Sequence, residues 1–137
     1  MRLFLFTFDN VSASDGKTGV FAIKLSVVPY ELLKAEDIVI VDFDANIVKG
    51  KMLPSSDTKT HALLYKTWND TEGITHTHST HAVAWAQAGK DNPIYGTTHA
   101  DHTHYDIPCD PVNSDETIKR DYEFQTGIQF FEILRSK

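Results

Sequence analysis

Stretches of strand character and stretches of helix character alternate along the whole chain, and no Gly/Ser linker, repeat or low-complexity tract separates them. That alternation predicts an α/β fold. Leu3 to Thr7, Gly19 to Lys24 and Ile38 to Phe43 are β-branched or aromatic runs. Between them, Asp9-Asn10 and Ser12-Ala13-Ser14-Asp15-Gly16 read as turns. Asp44-Ala45-Asn46 then predicts a tight hairpin into Ile47 to Lys51, because Asp and Asn tolerate the positive φ of such turns. The first half is therefore mainly sheet, with antiparallel neighbours.

The second half turns helical. Pro54-Ser55-Ser56-Asp57 supplies capping groups for a helix with Leu63, Leu64, Thr67 and Trp68 on one side. Gly73 opens a short strand, Ile74 to His78, and Ser79 or Thr80 caps a helix through Ala86 that Gly89 stops. Asn113-Ser114-Asp115-Glu116 predicts a further helix through Tyr122, which Gly127 interrupts before the apolar Ile128 to Leu134.

At 137 residues the chain matches one compact domain, residues 1–137, since one core needs roughly 100–150 residues. With 41% hydrophobic and 23% charged residues, the balance is that of a folded soluble protein rather than a disordered one. The net charge of −6 and the lack of a basic run argue against nucleic acid as a partner. A single cysteine, Cys109, excludes an internal disulfide and a Cys-rich zinc site, and is compatible with a reducing cytoplasm. The opening Met1-Arg2-Leu3-Phe4-Leu5-Phe6 is too short for a signal h-region, and no later run approaches membrane-spanning length.

Six of the seven histidines fall between His76 and His104, so this is where chemistry is sought. Side chains two apart on a strand share a face, which lets His76 and His78 converge on one divalent metal ion. A bare His-x-His also describes two surface histidines at a strand end, and the spacing leaves both readings open. His81, in the first turn of the next helix, fits a capping or exposed role better than ligation. Further on, Asp101 stands among His99, His102 and His104, a carboxylate that can carry protons beside a metal or belong to a polar loop. At the earlier helix start, Ser55, Ser56 and Asp57 offer an anion site as well as ordinary caps. Lys24 and Ser26 can bring a cation and a hydroxyl to the same anion.

A longer pattern joins these fragments. Asn10-Val11-Ser12-Ala13, Pro54-Ser55-Ser56-Asp57-Thr58, Gly73 to Ala82, Trp85-Ala86-Gln87-Ala88-Gly89, Gly96 to Asp101 and Ile107-Pro108-Cys109 resemble, in order and interval, the class II aldolase and adducin-related family. Within it they are most similar to the sugar-phosphate epimerases. The resemblance runs from about Phe6 to the last few residues.

The resemblance implies a three-layer α/β/α domain with a largely antiparallel central sheet, assembled as a homotetramer. It implies a divalent metal, typically zinc, with His76 and His78 as two of three histidine ligands. Asn10, Lys24, Ser26, Ser55 and Ser56 correspond to phosphate-binding residues, and Asp57 and Asp101 to acidic active-site residues, Asp101 being linked to proton transfer. Thr97 matches a residue near the neighbouring subunit's site. The implied reaction interconverts L-ribulose 5-phosphate and D-xylulose 5-phosphate. Because the C4 hydrogen is not adjacent to the ketone, inversion there requires cleaving and remaking the C3–C4 bond, with the metal stabilising the enediolate. Related aldolases commonly carry Glu where this chain has Asp57, a choice that favours the epimerase. An aldolase acting on another sugar phosphate and a non-catalytic remnant are the alternatives.

The chain also departs from the pattern. The resembled pattern also includes a helix before the first matched strand and a later segment with the third metal histidine and an acid/base tyrosine, which the resemblance places outside residues 1–137. Asp9 replaces a glycine, bringing negative charge toward the phosphate end. Lys24-Leu25-Ser26-Val27 replaces Lys-Pro-Ser-Gly, with Val27 losing glycine's freedom.

Overall fold

The computed structural model describes residues 9–26 and 28–135. The strand expected at Leu3 to Thr7, and Val27, lie outside the described residues. Five strands form one sheet: β1 (Asn10–Asp15), β2 (Val20–Ile23), β3 (Val39–Asp42), β4 (Ile47–Lys49) and β5 (Gly73–His76). Their order is β4-β3-β2-β1-β5, and every pairing is antiparallel. The α/β class and the antiparallel sheet are as expected.

One expectation fails at the middle of the sheet. The Ser-rich segment expected as a turn is β1, which pairs with β2 on one side and β5 on the other. Asn, Ser and Ala have little intrinsic preference for strands, so two flanking ladders override local propensity. The alternation shows the reason for the composition: Asn10 and Ser12 are buried on the inner face, while Val11 and Ala13 point outward and are exposed.

On that inner face Phe21, Ile23, Val39 and Val41 are each at most 1% exposed and form the apolar core with Leu25, Ala62 and Tyr65. Helix α1 (Thr58–Thr67) closes it. The side of α1 turned to the sheet is His61, Leu64 and Tyr65 rather than the expected Leu63, Leu64, Thr67 and Trp68. Leu63 and Thr60 instead meet α4 (Asp115–Arg135), and Trp68 packs on Phe131 with ring centroids 6.0 Å apart.

Helix α4 runs through Gly127 instead of breaking there; its non-helical residue is Asp121, at φ −162° and ψ 85°. Gly127 serves helix contact: a Cβ there would come within 3.0 Å of Leu63 Cδ2 and 3.3 Å of Thr60 Cα. The Asp121 kink is tied to α1 by Lys59 Nζ, 2.7 Å from Asp121 Oδ2.

Helices α2 (Thr80–Gln87) and α3 (Thr97–Ala100) lie between β5 and α4 in the chain. Gly89 ends α2 as expected, at φ +63°. At the β3–β4 hairpin the residue with positive φ is Ala45, at 65°, while Asp42 Oδ1 accepts the Asp44 and Asn46 N–H groups at 2.9 and 2.8 Å.

Candidate active site

The antiparallel register gathers one end of the sheet. Because β2 and β5 both run against β1, the end of β2, the end of β5 and the start of β1 coincide, with Asn10 opposite His76. The loop before α1 joins them: Ser55 N–H donates to the Lys24 carbonyl at 3.0 Å, Ser26 N–H donates to the Leu53 carbonyl at 3.3 Å, and Leu25 bridges Pro54. Thus Asn10, Lys24, Ser26, Ser55, Ser56, Asp57, His76 and His78 all belong to segments meeting at this end.

Asp57 is the hub. It occupies the N-cap position of α1, yet its side chain makes no capping bond. Ser55 takes over that work, its carbonyl accepting Thr58 N–H at 3.1 Å and Thr58 Oγ1–H at 2.6 Å. The released Asp57 Oδ2 accepts Asn10 Nδ2–H at 2.6 Å and is hydrogen-bonded to His76 Nδ1. Burial pushes the Asp57 carboxyl up, but the bonds from His76 and Asn10 outweigh it and hold the group below its ordinary value. The same bond raises His76 against the opposing effect of burial.

The rings of His76 and His78 stack with centroids 4.8 Å apart and planes 29° from parallel. Strand β5 ends at His76, short of the expected His78, and the His78 N–H donates to Asp9 Oδ1 at 2.5 Å instead of continuing a ladder. Both rings line a cavity of about 570 Å³ with Asp57, His61, Tyr122 and Phe130.

Beneath them lies a polar cluster that the sequence pattern does not single out. Ser12 Oγ is 2.7 Å from both His61 Nδ1 and Tyr65 OH, and all three residues are buried. Burial drives His61 down to about 4, with attraction to Asp57 opposing and repulsion from His76 assisting. His61 is the one histidine outside the 76–104 concentration. The signal that finds it is the spacing of Asp57, His61 and Tyr65, one stripe of α1 at intervals of four.

Other predicted residues stand apart. Ser56 is exposed, and neither serine of the pair is among the residues lining the histidine cavity. Asp101 is exposed at the C-terminal end of α3, and His102 and His104 are exposed beyond it. None of these three lines that cavity, nor does half-buried His99.

The donors suit a metal. A carboxylate on Nδ1 of His76 leaves Nε2 as the ligating nitrogen, the arrangement by which outer-shell carboxylates orient metal-binding imidazoles. His78 adds a second imidazole alongside. Among the described residues no group of three or more His, Cys, Asp or Glu forms a complete metal shell. The two rings fit as part of one.

Fold and site together define an α/β domain with a carboxylate-oriented imidazole pair at the end of an antiparallel sheet. The sequence profile of the class II aldolase and adducin N-terminal domain matches residues 1–127. The chain belongs to the class II aldolase and adducin family. Two relatives, each an L-ribulose-5-phosphate 4-epimerase UlaF, from Salmonella typhi and Salmonella paratyphi B, are 49% identical over 132 residues, covering 96% of this chain. The chain spans 58% of the length of these relatives. Among solved structures, an L-fuculose 1-phosphate aldolase matches with a TM-score of 0.78 and 27% identity, over 93% of this chain and 59% of that one. The L-fuculose-1-phosphate aldolase of Thermus thermophilus, at 20% identity and a TM-score of 0.67, covers 88% of this chain and 61% of its own and shares the fold. Enzymes of this family act on sugar phosphates and are generally dependent on a divalent metal. No helix among the described residues is long and apolar enough to cross a membrane.

Proposed function

We propose that residues 1–137 form a class II aldolase-type domain whose site serves the interconversion of L-ribulose 5-phosphate and D-xylulose 5-phosphate. The observation that carries this is Asp57 oriented between Asn10 and His76, with His78 stacked alongside. The 49% identity to epimerases and the aspartate at position 57 favour this reaction over simple aldol cleavage.

In this reading His76 and His78 hold a divalent cation, zinc, which supplies Lewis-acid stabilisation of negative charge on the ketone-derived fragment. Asp57 fixes the His76 ring and Asn10 fixes Asp57, so the imidazole need not reorganise during the reaction. Lys24, Ser26, Ser55, Ser56 and the Asn10 amide form the phosphate end and retain the aldehyde fragment while its face turns. Proton carriers must serve the C4 oxygen on both faces, and Asp101 is one of them, exchanging the C4 hydroxyl proton on its own face as the C3–C4 bond breaks or re-forms. The exposed position of Asp101 and its neighbour Thr97 suits a homotetramer in which a second subunit approaches α3. The compartment in this reading is the cytoplasm.

The likeness to an L-fuculose 1-phosphate aldolase favours a second reading, release of an aldehyde from a related sugar phosphate. Both readings require the histidine pair. The test is zinc titration of the purified chain and its His76→Ala and His78→Ala variants, followed by assay with L-ribulose 5-phosphate. Weakening of zinc binding by about 10-fold or more in each variant is expected. Unchanged affinity overturns the site. Epimer formation supports the first reading, free aldehyde without epimer the second, and neither product leaves the chain a metal-binding remnant.

A further inference from the structure

The buried trio of Ser12, His61 and Tyr65 fixes where one proton of the site must point. Ser12 Oγ lies 2.7 Å from His61 Nδ1 and 2.7 Å from Tyr65 OH, and all three residues are at most 3% exposed. A serine hydroxyl gives one proton and a phenol gives one, while a neutral imidazole accepts at one nitrogen and donates at the other. Were His61 Nδ1–H to donate to Ser12, either the serine or the tyrosine proton would be buried without an acceptor. Among the described residues Ser12 Oγ meets only these two side chains, and the phenol meets only Oγ and the Ile74 N–H, itself a donor. A buried proton without an acceptor keeps its full desolvation cost. One direction satisfies every group: Tyr65 O–H donates to Ser12 Oγ, and Ser12 Oγ–H donates to His61 Nδ1. Burial keeps the ring neutral, so His61 carries its own proton on Nε2. That residue also lines the cavity of about 570 Å³ that holds His76 and His78, and Nε2 has no partner among the described residues. Leu64, Ile74 and Phe130 are carbon walls of the same cavity, where one hydrogen bond counts for more than in water.

We propose that His61 is a substrate-binding residue: its Nε2–H donates to an oxygen of the bound sugar that can only accept, the ketone oxygen and the enediolate oxygen formed from it. The inference deepens the reading above and rests on it, since it needs the sugar phosphate to occupy the histidine cavity. Selectivity comes from the tautomer. A hydroxyl meets either a donor or an acceptor by rotating its proton, but a ketone oxygen needs a donor, and a nitrogen locked in the Nε2–H form offers nothing else. As the C3–C4 bond breaks, negative charge gathers on that oxygen and the bond from His61 strengthens, so the ring favours the cleaved state over the intact sugar without moving. Ser12 and Tyr65 hold the proton in place and act only through His61. They are positioning residues.

The tautomer is read first, from long-range proton–nitrogen correlations of the full chain carrying isotope-labelled histidine at neutral pH. The pattern expected for His61 is that of a neutral ring protonated at Nε2; protonation at Nδ1 overturns the inference whatever the rest of the site does. L-ribulose 5-phosphate is then added with zinc present. A shift of the His61 Nε2 resonance alongside those of His76 and His78 is expected. Response of the pair without His61 overturns the inference and leaves the site reading standing, and silence from all three refutes both. Two variants separate the donor from the scaffold. His61→Asn keeps a polar group where Nδ1 meets Ser12 but lacks the cavity donor, whereas His61→Gln reaches the Nε2 position with an amide N–H. With each fold checked by its urea midpoint, calorimetry should show L-ribulose 5-phosphate binding weakened by about 10-fold or more in His61→Asn and by no more than about 3-fold in His61→Gln. Equal weakening in both assigns His61 to the scaffold alone and overturns the inference. If neither variant folds, the wild-type spectra decide.

Discussion

The two halves of the inner sheet face are equally buried and chemically opposite. Across β2 and β3, Phe21, Ile23, Val39 and Val41 present only carbon, whereas across β1 and the adjoining part of α1, Asn10, Ser12 and His61 present nitrogen and oxygen at 2–3% exposure. Tyr65 joins the halves, its ring 5.2 Å from that of Phe21 and its hydroxyl 2.7 Å from Ser12 Oγ. The apolar half contributes stability in proportion to area removed from water and depends little on the direction of any one group. The polar half depends on every partner being in place, because a buried group without one keeps its desolvation penalty. The candidate site adjoins the half in which position matters atom by atom.

Deleting carbon from the apolar half should have the largest effect. Phe21→Ala is expected to destabilise the chain by roughly 3–5 kcal/mol in urea denaturation, since the ring touches both β3 and α1. A loss under about 1 kcal/mol would mean that the apolar half does not dominate stability.

The polar half should reveal itself through pH. His61 in the folded chain titrates at about 4, against 6.5 for an unperturbed histidine. Below pH 6.5 the unfolded chain takes up this proton and the folded chain does not, so the contribution is intact above 6.5 and is lost as pH falls toward 4. The total is about 3 kcal/mol. Denaturation curves between pH 7 and 4, with chelator present, should show that decline in the wild type relative to His61→Asn. Parallel curves for the two proteins would place a protonated His61 inside the fold and break the comparison.

Ser12→Ala tests the cluster without a charge. It leaves His61 Nδ1 and Tyr65 OH without the Oγ between them and should cost about 1–3 kcal/mol, more than the loss of one exposed hydroxyl. A neutral result would show that water replaces the serine.

The smallest effect serves as a control outside both halves. Ala45 holds a φ of 65°, where a Cβ is unfavourable. Ala45→Gly should stabilise by about 0.5–1 kcal/mol and leave the pH dependence unchanged. A changed slope would tie the hairpin to His61 electrostatically.

The legibility of the fold divides along the same line. β2, β3 and β4 are readable because branched and aromatic runs mark strands wherever they lie. β1 is not, since Asn10-Val11-Ser12-Ala13-Ser14-Asp15 carries turn-type residues whose side chains are needed for hydrogen bonds across the sheet face. The face of α1 misleads for a related reason: His61 and Tyr65 look polar in sequence but turn inward because Ser12 awaits them. Gly127 looks like a helix stop, and only the close approach of α1 explains a glycine inside α4.

What the chain's residues determined alone was the family, the α/β class, the antiparallel first half and the proximity of His76 to His78, which follows from a two-residue period along an extended chain. The tertiary structure decided which atoms meet. Oriented bonds between Asp57, Asn10 and His76 arise where β1, β5 and the start of α1 converge, across 47 and 66 residues of chain. No local pattern encodes such a meeting, because hydrogen bonds are directional and short-ranged while the segments that make them are distant in sequence. The burial of Asp9, whose backbone carbonyl accepts the Tyr30 hydroxyl across 21 residues of chain, has the same origin.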